Sequence, residues 1–191
     1  MALRWLGQPG LDASENEGTI AFAAGPRTDW FHDPRTGTIT TAAPVAVLAT
    51  GPLPVTLSCH VRTALASTFD AAGLLLHYDD EHWVKLALEL SPAREPTIVT
   101  VRTAVVSDDC NHVAVAGGAC WLRATVDDQS VAFHISDDRT TWQLVRYCAP
   151  PLAVTPVVGL LVQSPTGDGT TGTFDTLVVE PRWVEDLRDG S

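Results

Sequence analysis

The stretch HWVKLALEL, residues 82–90, alternates without a break. Val84, Leu86, Leu88 and Leu90 take every second position; Trp83, Lys85, Ala87 and Glu89 take the others. Side chains of a β-strand point to opposite faces in turn, so this segment reads as a strand with one aliphatic face. That face is core. The other holds an indole, an ammonium, a methyl and a carboxylate, a set that belongs against water or against a ligand. Lys85 is also the chain's only lysine, and it sits inside a strand rather than on a solvated loop.

The pattern extends outward. In CWLRATV (120–126), Leu122, Ala124 and Val126 oppose Trp121, Arg123 and Thr125. In SVAFHIS (130–136), Val131, Phe133 and Ile135 oppose Ala132 and His134. In TIVTVRTAVV (97–106), Val99, Val101 and Thr103 oppose Thr100 and Arg102. Further strands are expected near 19–23, 28–32, 37–41, 45–50, 53–63, 72–78, 112–116, 142–147, 156–163 and 171–180, with Gly, Pro, Asp and Asn between them. Helical periodicity is nearly absent. The count of strands and turns predicts an all-β chain, a two-sheet antiparallel sandwich formed by one domain over residues 1–191. Residues 1–17 and 184–191 read as terminal arms, the second fraying. If the alternating strands share a sheet, their polar faces merge into one surface.

Composition narrows the partners. Twelve basic against 23 acidic residues leave a net charge of −11. Repulsion then disfavours nucleic acid and anionic membranes. No apolar run reaches the roughly 18 residues of a membrane span, and MALRWLGQPGLDASENEG lacks the apolar stretch of an export signal. The chain is read as cytoplasmic. Cys59, Cys110, Cys120 and Cys148 show no metal-binding or redox spacing and are expected as free, mostly buried thiols; Cys110 and Cys120 are the first pair to check for a bridge. No cofactor and no metal site is expected. DDEH (79–82) and SPTGDGTTG (164–172) hold oxygen ligands suited to calcium, but acidic hairpin tips are ordinarily turns.

FDAAGLLLHYDDEHWVKLALEL (69–90) resembles the DUF1349 family, whose pattern runs Phe-Asp-Gln-Ala-Gly-Leu, Trp-Ile-Lys and then a Glu. TVRTAVVSDD (100–109) is similar to its Val-Thr…Ser-Asp-Trp segment, and TDWFHDP (28–34) to its opening. WLRATVDDQSVAFHISDDRTTWQLVR (121–146) resembles the later strands of concanavalin A-like jelly rolls generally. The resemblance implies a concanavalin A-like jelly-roll sandwich and no settled activity. Ala71 stands where the family pattern has Gln, and Asp109 where it has Trp, so a family ligand site would be altered.

In folds of this kind sugars sit on the outer face of a concave sheet. The expected ligand-binding residues are Trp83, Lys85, Glu89, Trp121, Arg123, His134, Arg102 and His77. Aromatic rings stack on the C–H face of a pyranose, and charged planar groups bond pairs of hydroxyls. The competing reading is a solvated sheet face, or one that docks a partner or a second copy as a homodimer. A glycosidase needs two carboxylates about 5–9.5 Å apart. The face of 82–90 offers only Glu89, with Asp70 and Asp108 as possible seconds, Asp70 being better explained as a turn cap. A carboxylate beside Lys85 is expected to stay ionised. The sequence therefore reads as a carbohydrate-binding module rather than a catalyst, with Glu89 the sole catalytic candidate of the alternative.

Overall fold

The computed structural model describes residues 3–49 and 51–191. Met1, Ala2 and Thr50, which fall in the expected arm and in the expected strand 45–50, lie outside the described residues. The strands are β1 (Arg4–Leu6), β2 (Leu11–Asn16), β3 (Thr19–Ala24), β4 (Trp30–His32), β5 (Ile39–Thr41), β6 (Val45–Ala49), β7 (Val55–Thr63) and β8 (Ala71–Asp79). They continue as β9 (His82–Leu90), β10 (Pro96–Ala104), β11 (Val106–Ala114), β12 (Ala119–Val126), β13 (Val131–Ser136), β14 (Gln143–Cys148), β15 (Val157–Gln163) and β16 (Thr170–Glu180). The first sheet runs β1-β6-β15-β8-β9-β10-β11 and the second β14-β13-β12-β7-β16-β3-β2. Every ladder is antiparallel, and the two sheets pack as the jelly-roll sandwich that the alternation predicts.

The aliphatic half of β9 is core, as read. Val84, Leu86, Leu88 and Leu90 join Leu74, Leu76, Leu122, Phe133, Val162 and Phe174 between the sheets. β8 and β9 approach closely at Gly73, where a Cβ would run into the Leu86 carbonyl and the Ala87 backbone. Glycine is required there by space, not by φ.

Three expectations change. The polar faces do not merge: Trp83, Lys85 and Glu89 lie on the first sheet, Trp121, Arg123 and His134 on the second, on opposite outsides of the sandwich. Segment 97–106 is not one strand, because the chain reverses at Val105 (φ 68°) and returns as β11, a polar edge strand read as loop and 112–116. The termini are not loose. β1 and β2 extend the two sheets, and Val184 is buried.

Residues 184–191 lie against the outside of the second sheet. Arg123 Nη2 donates to Gly190 O (2.7 Å), and His134 Nε2 donates to Leu187 O (2.9 Å). Deleting 184–191 removes one buried valine and two hydrogen bonds to buried side chains. The expected cost is about 3 kcal/mol, read as a lower urea midpoint; an unchanged midpoint would mean that the tail does not hold this face.

Candidate functional site

Trp83 is not an open sugar platform. Residues 25–44, including the β4–β5 hairpin, cross the outer face of the first sheet as a strap. Trp30 packs edge-on against Trp83 (5.3 Å between centroids) and His77 (5.3 Å), and its Nε1 donates to Ala43 O (2.8 Å). Trp83 and His77 are thereby buried beneath the strap, with Val45, Leu75 and Leu161 around the indoles. Burial pushes the His77 imidazole below its ordinary pKa. The strap is pinned at its edges: His32 N donates to Ser107 Oγ (2.9 Å) and Thr28 N to Ser164 O (3.2 Å).

Beyond the tryptophans the strap leaves a cavity of about 330 Å³ over the other half of the same face. Lys85 and Glu89 line it from β9, Val101 from β10, Asp109 from β11 and Gln163 from β15. Asp29, Phe31 and Asp33 come from the strap, and Phe69, Pro165 and Thr166 from neighbouring loops. Lys85 is almost fully buried. Its Nζ donates to Asp29 Oδ1 (3.0 Å) and to Gln163 Oε1 (3.0 Å) and lies 6.0 Å from the Phe31 centroid. The path from Lys85 to Gln163 crosses β8 where it carries Ala71 and Gly73, residues too small to block it.

Glu89 is 8 % exposed, and no hydrogen bond to its carboxylate is found among the described residues. Burial, opposed by Lys85 and reinforced by Asp109 and Asp29, pushes its pKa up to about 8. This reverses the expectation of a carboxylate kept ionised by Lys85, because desolvation outweighs a lysine already committed to Asp29. Burial raises Asp109 as well. Asp33 at the rim is held below the ordinary range by the Thr36 and Arg35 backbone N–H groups. Phe69 keeps a left-handed backbone (φ 69°), which presents its half-exposed ring at the mouth.

The other expected site residues lie elsewhere. Arg102 pairs with Val84 and so shares the core-side face of β10; at the sandwich margin its Nε donates to Ala149 O (3.2 Å). Val99 and Val101 take the cavity side instead, so the faces of this strand are inverted relative to the reading. Trp121 rests against His60 (5.0 Å) and beneath Arg139 (5.2 Å) on the second sheet. Arg123 stacks over Trp142 (4.2 Å) under the C-terminal tail, and burial pushes His134 down to about 4.

Neither proposed second carboxylate reaches the cavity. Asp70 is a fully buried turn cap, accepting from Ser67 N (2.8 Å) and Ser164 Oγ (2.6 Å). Asp108 points to the opposite face and pairs with Arg146 (2.9 Å). The carboxylates that do reach it beside Glu89, namely Asp29, Asp33 and Asp109, were legible only as parts of TDWFHDP and SDD. All four cysteines are free, and Cys110 and Cys120 stand in different sheets. Asp79 of the DDEH turn spends its carboxylate on Glu81 N (2.9 Å) and the His82 ring (2.7 Å). Among the described residues no group of three His, Cys, Asp or Glu forms a metal-holding cluster, and no helix is long and apolar enough to cross a membrane.

Residues 5–182 match the family described as Protein of unknown function (DUF1349). "Regulation of enolase protein 1" of Saccharomyces cerevisiae is 28 % identical over 173 residues, 89 % of this chain and 85 % of that one. The crystal structure of a functionally unknown protein from Saccharomyces cerevisiae superposes with a TM-score of 0.86 at 25 % identity, over 95 % of this chain and 97 % of that one. A GH43 protein from Bacillus licheniformis shares the fold at TM-score 0.70 and 14 % identity, over 87 % of this chain and 34 % of that longer one. The alginate lyase from Klebsiella pneumoniae shares it at TM-score 0.55 and 11 % identity, over 88 % of this chain and 83 % of that one. With its concanavalin A-like jelly roll and a match spanning nearly its whole length, the chain belongs to the DUF1349 family.

Proposed function

We propose that the chain is a non-catalytic carbohydrate-binding module whose site is the cavity between the strap and the outer face of β9. The observation that carries this reading is the convergence of two phenyl rings, Phe31 and Phe69, with Asp29, Lys85, Glu89, Asp109 and Gln163 in one cavity of about 330 Å³. That volume lies at the low end of small-molecule sites, roughly 300–1,000 Å³, and suits one or two sugar units. The rings offer faces for pyranose C–H groups, and the carboxyl and amide groups offer paired partners for hydroxyls.

The yeast relative is named for regulation, and a regulatory protein with such a pocket would act as a sugar sensor. Four free thiols support a reducing, cytoplasmic setting. A net charge of −11 disfavours nucleic acid and anionic membranes as partners.

Calorimetry against a panel of mono- and disaccharides tests the reading. At least one sugar is expected to bind with a Kd of about 1 mM or tighter. Phe31→Ala is expected to weaken it about tenfold, as the loss of one stacking contact implies, while Trp121→Ala leaves it unchanged. Silence across the panel, or equal binding by Phe31→Ala, would overturn the reading.

One observation favours a second reading. Glu89 keeps its proton near neutrality in a cavity that also holds Asp29 and Asp109, the arrangement of a general acid beside carboxylates. Hydrolysis of aryl glycosides that Glu89→Gln abolishes would establish a glycoside hydrolase-like enzyme in place of a binding module.

A further inference from the structure

We infer that the sugar taken by this cavity carries a primary amine, its ammonium seated on Glu89 in the cavity that Asp109 also lines. The inference rests on the carbohydrate reading and names the ligand class of the same site.

The charges in the cavity do not balance. Among the described residues Lys85 is the only cationic side chain lining it, against four carboxyl groups, those of Asp29, Asp33, Glu89 and Asp109. Lys85 is spent: its ammonium lies 3.0 Å from Asp29 Oδ1 and 3.0 Å from Gln163 Oε1. Asp33, at the rim, is taken up by its own turn, accepting from Arg35 N (2.7 Å) and Thr36 N (2.9 Å). Glu89 and Asp109 remain. Asp109 takes the Cys110 backbone N–H. Glu89 is more than nine-tenths buried, lines the cavity and has no hydrogen-bond partner among the described residues.

Burial holds Glu89 protonated near neutrality, and an ammonium seated on it supplies the positive charge that lets the carboxyl release that proton to solvent and pair as a carboxylate. An ammonium brings three N–H donors, one for Glu89 and two for other acceptors on the cavity wall, with Asp109 adding its negative field. Phe31 and Phe69 add ring faces to which a cation is attracted. The net charge of −11 enriches cations around the molecule as a whole. An organic cation is favoured over a metal ion because no three ligating side chains converge here among the described residues. An N-acetylated sugar has lost the charge and is disfavoured.

The test uses the full chain in calorimetry at pH 7. Glucosamine and galactosamine are compared with glucose, galactose and N-acetylglucosamine. The amino sugars are expected to bind at least tenfold tighter than their neutral counterparts. In Glu89→Gln and in Asp109→Asn the ratio is expected to fall towards one, while Trp121→Ala on the opposite sheet keeps it. Two separate variants guard against one failing to fold. Equal affinity for amino and neutral sugars would overturn the inference and leave the carbohydrate reading standing. Absence of binding by sugars of both kinds would overturn both.

Discussion

Replacing Lys85 by methionine is expected to cost about 3 kcal/mol of stability, a large share of the 5–15 kcal/mol typical of a domain. Methionine fills much of the stem's volume, so the effect isolates the charge. The ammonium is buried and holds Asp29 Oδ1 and Gln163 Oε1, each at 3.0 Å. Without it Asp29, Glu89 and Asp109 face one cavity with no cation among them. A pair broken from one side leaves the other charge uncompensated, and that is the main loss. The strap should loosen too, since Asp29 sits next to Trp30, whose indole seals Trp83. Urea unfolding with an unchanged m-value and a lower midpoint checks this. A variant as stable as the parent would mean that Lys85 does not anchor the strap.

Glu89→Gln is expected to flatten the pH dependence of stability between about pH 4.5 and pH 8. The carboxyl has a pKa of 4.5 when unperturbed and about 8 in the fold. Folded chain keeps a proton that unfolded chain releases across that window, so this group stabilises fully below it and its contribution disappears as pH rises through it. The slope is about 1.4 kcal/mol per pH unit within the window. The charged groups acting on Glu89 are Lys85 on its own strand, Asp109 from β11 and Asp29 from the strap, with Asp33 at the same cavity. Glutamine carries no proton to lose. The variant should therefore match or exceed the parent at pH 8 and gain least at pH 5. Parallel curves for the two proteins would place Glu89 in a solvated, ordinary environment.

The sandwich was readable because β8, β9, β12 and β13 alternate and their apolar halves need each other. Alternation tells which residues share a side of one strand; it does not tell which sheet the strand joins. That is why Trp83 and Trp121 read as one surface and lie on two. Strand β10 misled for a related reason. Both its faces are covered, one by the second sheet and one by the strap, so valines suit either. Val101 lines the cavity wall, while Thr100 meets Arg146 of β14 at the thin margin of the sandwich (3.1 Å).

Edge strand β11, with its Ser, Asp, Asp, Cys, Asn and His, has no apolar period to betray it. The strap has none either. Its Asp29 and Phe31 become site residues only through long-range contacts, Asp29 with Lys85 56 positions away. What could be seen was that a lone lysine in mid-strand needs a buried anion. TDWFHDP, already marked out in the sequence, held it.

Amide and side-chain chemical-shift mapping during titration with the tightest-binding sugar tests the central claim most directly. The account predicts shifts confined to residues 29–33, 69, 85–89, 101, 109 and 163–166, the walls of the strap cavity. Shifts centred instead on Trp121, Trp142 and the 184–191 tail, with the strap cavity silent, would contradict it.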